Sequence, residues 1–327
     1  MRGLQIRGPN DVDIAEIPME TMGSNRVRVH VDLVGLCGTD FALTSGTLGL
    51  NTLPVVPGHE VVGTVKESSS SQFIVGDMVV LDPLMNCGTC WACLKDRPQW
   101  CSQVGVVGVV RNGGACEELV LPSHQWIVLP PGVSLEAAVL IEPVHVAQTV
   151  LDVAGSVVPE HVLVIGTGAL GLIIIESLQH QWPHARIVAY DAVAEHLDHA
   201  LTIGAMRLED KDSGSFELVI DGVGALASME LAGTAVRPGG HIVVYGVPKA
   251  HVSIPKADVL FRKNVAVSFS RLYSHDFDHA VKWVADGIIR PEEIVCDRLS
   301  LDEAAVFLSE SRWNRPERWG KTLIQMN

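Results

Sequence analysis

At 327 residues, 47% of them hydrophobic and 19% charged, the chain is long enough for about two ordinary domains and has the composition of a compact globular protein. Its formal net charge of -14, with no basic run, opposes a polyphosphate partner, so nucleic acid is not expected. The N-terminal stretch is charged at Arg2, Arg7 and Asp11 and lacks a signal-peptide core, and no later stretch reaches the ~18 uninterrupted apolar residues of a membrane span. A cytoplasmic protein with no membrane contact is expected, and in that reducing compartment clustered cysteines read as metal ligands, not disulfides.

Residues 3–80 carry short β-branched runs such as "RVRVHVDLVGLC" and "HEVVGTVKE", punctuated by Gly, Pro and Ser, and read as β-rich. Within them "VGLCGTDFALTSG" sets Cys37 between glycines at the end of an apolar run, "PGHE" follows with His59 and Glu60, and "SSSS" at 68–71 reads as a hairpin loop. Next, "CGTCWACLKDRPQWC" places Cys87, Cys90, Cys93 and Cys101 in one short polar loop, a soft ligand set suited to a closed, tetrahedral, structural zinc. A closed site leaves no position for substrate, so a catalytic metal needs other ligands. Cys37, His59 and a carboxylate, that of Glu60 or of Glu142 in "LIEPVHVAQ", together would hold zinc with one place open. Taken singly, the same residues suit a buried thiol, a satisfied polar side chain and a helix start.

Beyond about Val144 strand and helix signals alternate, which predicts βαβ units and a parallel sheet. "HVLVIGTGALGLIIIESL" sets Gly166, Gly168 and Gly171 in G-x-G-x-x-G spacing between an apolar strand and an apolar helix, where N–H groups of the first turn, around Ala169 and Leu170, can meet a pyrophosphate. Asp191 ends the next strand about 20 residues on, placed to accept both hydroxyls of the adenosine ribose and to repel a 2′-phosphate. "AVAEH" after it supplies no Arg or Lys, so NAD is the expected cofactor. Helical stretches at "DFDHAVKWVADGII" and "LDEAAVFLSES" and a closing strand, "KTLIQMN", finish the chain. Cys116 and Cys296 fit no site and are expected to be buried structural thiols.

"GLCGTD", "GHE", the four-cysteine loop, "EP" and "VLVIGTGALG" occur in the order and spacing of the zinc-dependent medium-chain dehydrogenase/reductase family, which the chain resembles over essentially its whole length. The resemblance implies an α/β protein. A GroES-like β-rich catalytic domain (1–146) and a doubly wound Rossmann domain (147–268) are followed by a return to the catalytic domain (269–327), with the active site in a cleft between the two. It also implies Cys37, His59 and Glu142 as ligands of a catalytic zinc, with Glu60 a nearby carboxylate able to enter the shell. Thr39 is then the hydroxyl that hands a proton outward, within a substrate-facing loop; Asp40 orients His59, and Lys321 is the basic residue that faces it.

Ala42 stands where many relatives carry a relay histidine, which shortens the proton exit. Glu142 in place of the cysteine of simple alcohol dehydrogenases resembles the polyol, sugar and threonine dehydrogenase branches. Arg271 and Tyr273 lie near where sorbitol dehydrogenase-like enzymes place a substrate-binding Arg-Tyr pair, with Leu272 intervening. The expected reaction is NAD-dependent oxidation of a secondary alcohol on a polyol, sugar or cyclitol-like compound by a dimer or tetramer. An amino-alcohol or simple-alcohol dehydrogenase, a zinc-free reductase and a zinc-ribbon binding protein are the rival readings.

Overall fold

The computed structural model describes residues 1–49, 53–155, 158–248, 257–273, 277–313, 315 and 318–326. They form two compact units, Met1–Pro143 with Ser274–Asn327, and Val144–Tyr273. The domain boundaries expected from sequence fall after residues 146 and 268.

In the first unit the strand Arg26–Leu36 is the spine, and its Val27, Val29 and Val31 alternate inward with half-buried neighbours, the period-2 pattern of a one-sided strand. It lies in a seven-stranded sheet whose path runs Val295–Ser300, Lys321–Gln325, Arg26–Leu36, Glu60–Ser68, Met78–Leu81 and Trp126–Val128, with Glu118–Pro122 also on the spine. Residues 69–77 join the antiparallel strands Glu60–Ser68 and Met78–Leu81, where the serine run was expected to turn. Register sets up the chemistry. Gly35 pairs with Glu60 and Leu36 with Thr322, so one end of the sheet gathers Cys37, the His59–Glu60 pair and Lys321.

The chain does not continue past Leu36 as a loop. Cys37 is the N-cap of a helix, Gly38–Thr44, closed by the Asp40 carboxylate accepting the Cys37 N–H at 2.9 Å. Thr39 is therefore helical, a correction to the expected substrate-facing loop. A two-stranded ribbon, Leu84–Met85 against Gly105–Val106, clamps the base of the cysteine loop.

The second unit is a six-stranded parallel sheet in the order Met206–Arg207, Arg186–Tyr190, His161–Ile165, Phe216–Asp221, Val236–Val244, Ala266–Phe269. Its central strands, His161–Ile165 and Phe216–Asp221, are largely apolar and all but His161 is buried, as a sheet covered on both faces requires. The strand order reverses at His161–Ile165, the earliest strand, so the ligand crevice of this fold lies beyond its C-terminal end, where Gly166 begins the glycine-rich turn. Among the described residues, no helix is long and apolar enough to cross a membrane.

Candidate functional site

In the first unit, ligand atoms of Cys37, His59 and Glu60 lie within 4.8 Å of one another. His59 and Glu60 are 5% and 0% exposed, and among the described residues Glu60 Oε2 has no hydrogen-bond partner. A buried polar atom without a partner costs roughly 1–3 kcal/mol, and a cation shared by that carboxylate oxygen, the thiolate and the imidazole removes that cost, so the residues fit a zinc ion. The other carboxylate oxygen, Oε1, is ion-paired with the buried Lys321, whose Nζ also donates to the Leu36 carbonyl at 3.3 Å. Lys321 thus faces Glu60. Burial works against the Lys321 charge, but Glu60 and Cys37 outweigh it and hold the ammonium above its ordinary pKa.

Asp40 is fully buried, and its Oδ1 lies 3.9 Å from His59 Nδ1 while accepting the Gly58 N–H at 3.2 Å. Burial pushes its pKa up against the pull of His59. For His59 burial acts downward, yet Cys37, Asp40 and Glu142 together raise the imidazole well above its usual value. Thr39 Oγ1 lies 3.9 Å from Cys37 Sγ. Glu142 opens the helix Ile141–Ala154 but stands outside the 4.8 Å set. Its burial, opposed by His59 and reinforced by Glu60, raises its carboxyl to about 7.

Sulfur atoms of Cys87, Cys90, Cys93 and Cys101 also lie within 4.8 Å of one another. Cys90–Cys93 and Cys87–Cys93 separations of 3.5 and 3.9 Å bracket the edge of about 3.8 Å implied by four Zn–S bonds of ~2.3 Å. Donors from Thr89 and Cys90 lower the Cys87 thiol to about 6, while burial and the Cys90 thiol raise Cys93 to about 11, so a cation is what would favour the Cys93 thiolate. Of the remaining cysteines, Cys116 is buried as expected, whereas Cys296 is only partly buried and lines a cavity of about 300 Å³ with Arg312, Arg315 and Arg318.

In the second unit Gly166 has φ +92°, and a Cβ on Gly171 would stand 2.1 Å from the Gly166 carbonyl, so helix and turn meet only without a side chain there. Gly168 caps the helix Ala169–Gln181, which leaves the N–H groups of its first turn facing outward. Asp191 Oδ2 accepts the Thr167 N–H at 2.7 Å, tying the turn to the next strand, and Oδ1 accepts the Val193 N–H at 2.9 Å. His196 Nδ1 lies 3.6 Å from Asp191 Oδ2, a neighbour that sequence spacing does not signal. Between Arg271 and Tyr273, Leu272 takes φ +58°; Arg271 is exposed, and Tyr273 is buried with its ring 4.7 Å from that of His145.

Two family descriptions match, "Alcohol dehydrogenase GroES-like domain" over residues 23–131 and "Zinc-binding dehydrogenase" over residues 169–286. The chain belongs to the zinc-dependent medium-chain dehydrogenase/reductase family. As a member it is an oxidoreductase acting on a small-molecule alcohol. It is 29% identical to the D-altritol 5-dehydrogenase of Agrobacterium fabrum over 95% of this chain and 96% of that one. It is 26% identical to the sorbitol dehydrogenase of Bombyx mori over 91% of each. The solved alcohol dehydrogenase rspB of Escherichia coli CFT073, complexed with NADH, superposes with a TM-score of 0.89 at 26% identity, covering 99% of both chains.

Proposed function

We propose that this medium-chain dehydrogenase oxidises a secondary alcohol of a polyol, sugar or cyclitol-like compound with NAD, using one catalytic and one structural zinc. The observation that carries the reading is the Cys37–His59–Glu60 set, its His59 and Glu60 buried and Glu60 Oε2 without a partner among the described residues, in a chain that also holds a separate four-cysteine site. Cys37, His59 and Glu60, with Glu142 in reserve, would hold the catalytic ion, and the four cysteines the structural one. Bound at these sites, zinc supplies Lewis-acid polarisation of an alcohol oxygen, and the nicotinamide supplies the hydride acceptor.

The protein's own groups do the rest. Thr39, its hydroxyl beside Cys37, takes up the alcohol proton, and because Ala42 further along the helix carries no titratable group, release from Thr39 runs to water. Lys321 holds Glu60 in place, and Asp40 fixes His59. A polyhydroxylated substrate is supported by the carboxylates of Glu60 and Glu142 around one site and by relatives named for altritol and sorbitol. NAD is supported by Asp191, a carboxylate tied to the glycine-rich turn through the Thr167 N–H, which would repel a 2′-phosphate. We also infer a homo-oligomer, supported by the edge strand Ala266–Phe269, where Phe269 is 58% exposed.

The test is a panel of polyols, aldoses, cyclitols, amino alcohols and monoalcohols with NAD and NADP, read as reduced-cofactor formation. A preference for a monoalcohol or for NADP overturns the corresponding half of the reading.

A further inference from the structure

Tyr245 lies just beyond the strand Val236–Val244, in the second unit, and no motif marks it. Three backbone hydrogen bonds lock the strand ends around it: Gly222 N–H to the Ile165 carbonyl at 2.8 Å, Tyr245 N–H to the Asp221 carbonyl at 3.0 Å, and Gly166 N–H to the Tyr190 carbonyl at 2.8 Å. Its phenol lies across Gly222. A Cβ built there would stand 2.1 Å from Tyr245 Oη and 2.4 Å from Cζ, so the missing side chain at 222 is the space the ring fills. The same hydroxyl lies 3.7 Å from a Cβ built on Gly171, in the first turn of the helix Ala169–Gln181.

A phenol wedged between the end of one strand and the first turn of the dinucleotide helix is held in a single direction. Its hydroxyl makes no hydrogen bond with any described residue. Burial first, then the charges of Asp221 and Asp191, push its pKa up, so the oxygen keeps its proton and is a donor in search of an acceptor. The Asp221 carboxylate is already engaged: it takes the Val223 and Gly224 N–H groups and the Ser228 hydroxyl, at 2.9 to 3.1 Å.

We propose that Tyr245 is a cofactor-positioning residue whose phenol O–H donates to the pyrophosphate–ribose backbone of the dinucleotide seated on the Gly166–Gly171 turn. This rests on the cofactor reading above and adds to it a fixed side-chain donor where the glycine-rich turn supplies only backbone N–H groups. The donor acts on the middle of the cofactor, away from the adenosine ribose assigned to Asp191. Removing it therefore has a distinct signature.

Tyr245→Phe keeps the ring on Gly222 and removes only the donor. Affinities for NADH or NADPH, whichever the parent binds, for ADP-ribose and for adenosine are measured by titration of the metal-loaded protein, with the melting temperature of the cofactor-free protein alongside. Expected is a roughly tenfold weaker binding of the dinucleotide and of ADP-ribose, an unchanged affinity for adenosine, and an unchanged melting temperature. Equal dinucleotide affinity in parent and variant overturns the proposal alone, and so does a loss that extends equally to adenosine, which would report a damaged turn. A parent that binds neither dinucleotide overturns the cofactor reading itself.

Discussion

Gly35 and Glu60 face each other across the central strand ladder, and a Cβ on Gly35 would stand 2.1 Å from Glu60 Oε2. The carboxylate reaches Cys37 and His59 by lying flat over a residue that has no side chain. Gly35→Ala must therefore displace the carboxylate or spread the strands. Zinc content falling towards one ion per chain, with turnover reduced at least tenfold and a melting temperature lower by several degrees, is the expected outcome. Metal analysis and kinetics on the same preparation check it.

The ion pair beneath this arrangement behaves asymmetrically. Lys321 and Glu60 are 5% and 0% exposed, so removing one partner strands a buried charge, at a cost of roughly 3–5 kcal/mol. Lys321→Met should lower stability by about that much, while Lys321→Met combined with Glu60→Leu should regain most of it without regaining turnover. Denaturant unfolding of both variants decides; a double variant no more stable than the single one would show that the pair is not the unit that matters.

The two cysteine-bearing sites should fail differently. Cys93→Ser opens a closed four-thiolate site whose binding energy supports the loop between the paired strands Leu84–Met85 and Gly105–Val106, so reduced stability and protease sensitivity within residues 86–104 are expected. His59→Ala should leave a folded protein that still binds dinucleotide and has lost turnover. Limited proteolysis and NADH titration separate the two, and equal damage to folding would remove the division into structural and catalytic metals.

The parts of this molecule legible in the sequence are those in which neighbouring residues impose the geometry. The Gly166–Gly171 turn demands its residue types because Gly171 touches the Gly166 carbonyl, and the cysteine loop gathers its own four ligands. The helix Gly38–Thr44 was not legible, since seven residues are too few for a 3.6 period to show, and glycine at its start suggests a loop. Likewise "ASMELAGTAVRPGG" reads as one helical signal, yet the helix stops at Ala235 and the strand begins at Val236. Contacts between distant positions leave no linear trace: Lys321 meets Glu60 across 261 residues, and Gly222 receives the ring of Tyr245 from another strand. The left-handed backbone at Leu272, between the exposed Arg271 and the buried Tyr273, likewise leaves no linear trace.

Glu142 carries the last prediction, on pH. Burial, opposed by His59, raises its folded-state carboxyl from the ordinary 4.5 to about 7. Between those values the folded state binds the proton that the unfolded state has released, so the linkage slope is negative and stability falls as pH rises. His59 acts in the same sense at higher pH: held well above 6.5, it contributes stability that is complete below 6.5 and is lost as pH rises through its folded value. The metal-free protein should therefore lose melting temperature steadily from about pH 5 to beyond pH 7. Glu142→Gln, which cannot titrate, should flatten the lower part of that decline by a few degrees and, because Glu142 is one of the groups that raise His59, draw the upper part toward lower pH. Zinc should reverse the trend in the parent, because a cation among Cys37, His59 and Glu60 favours the deprotonated carboxylate nearby and displaces the imidazole proton. Melting curves of chelated and zinc-loaded parent and variant across this range are the measurement, and a chelated parent whose stability rises with pH would show that Glu142 is not held protonated in the folded chain.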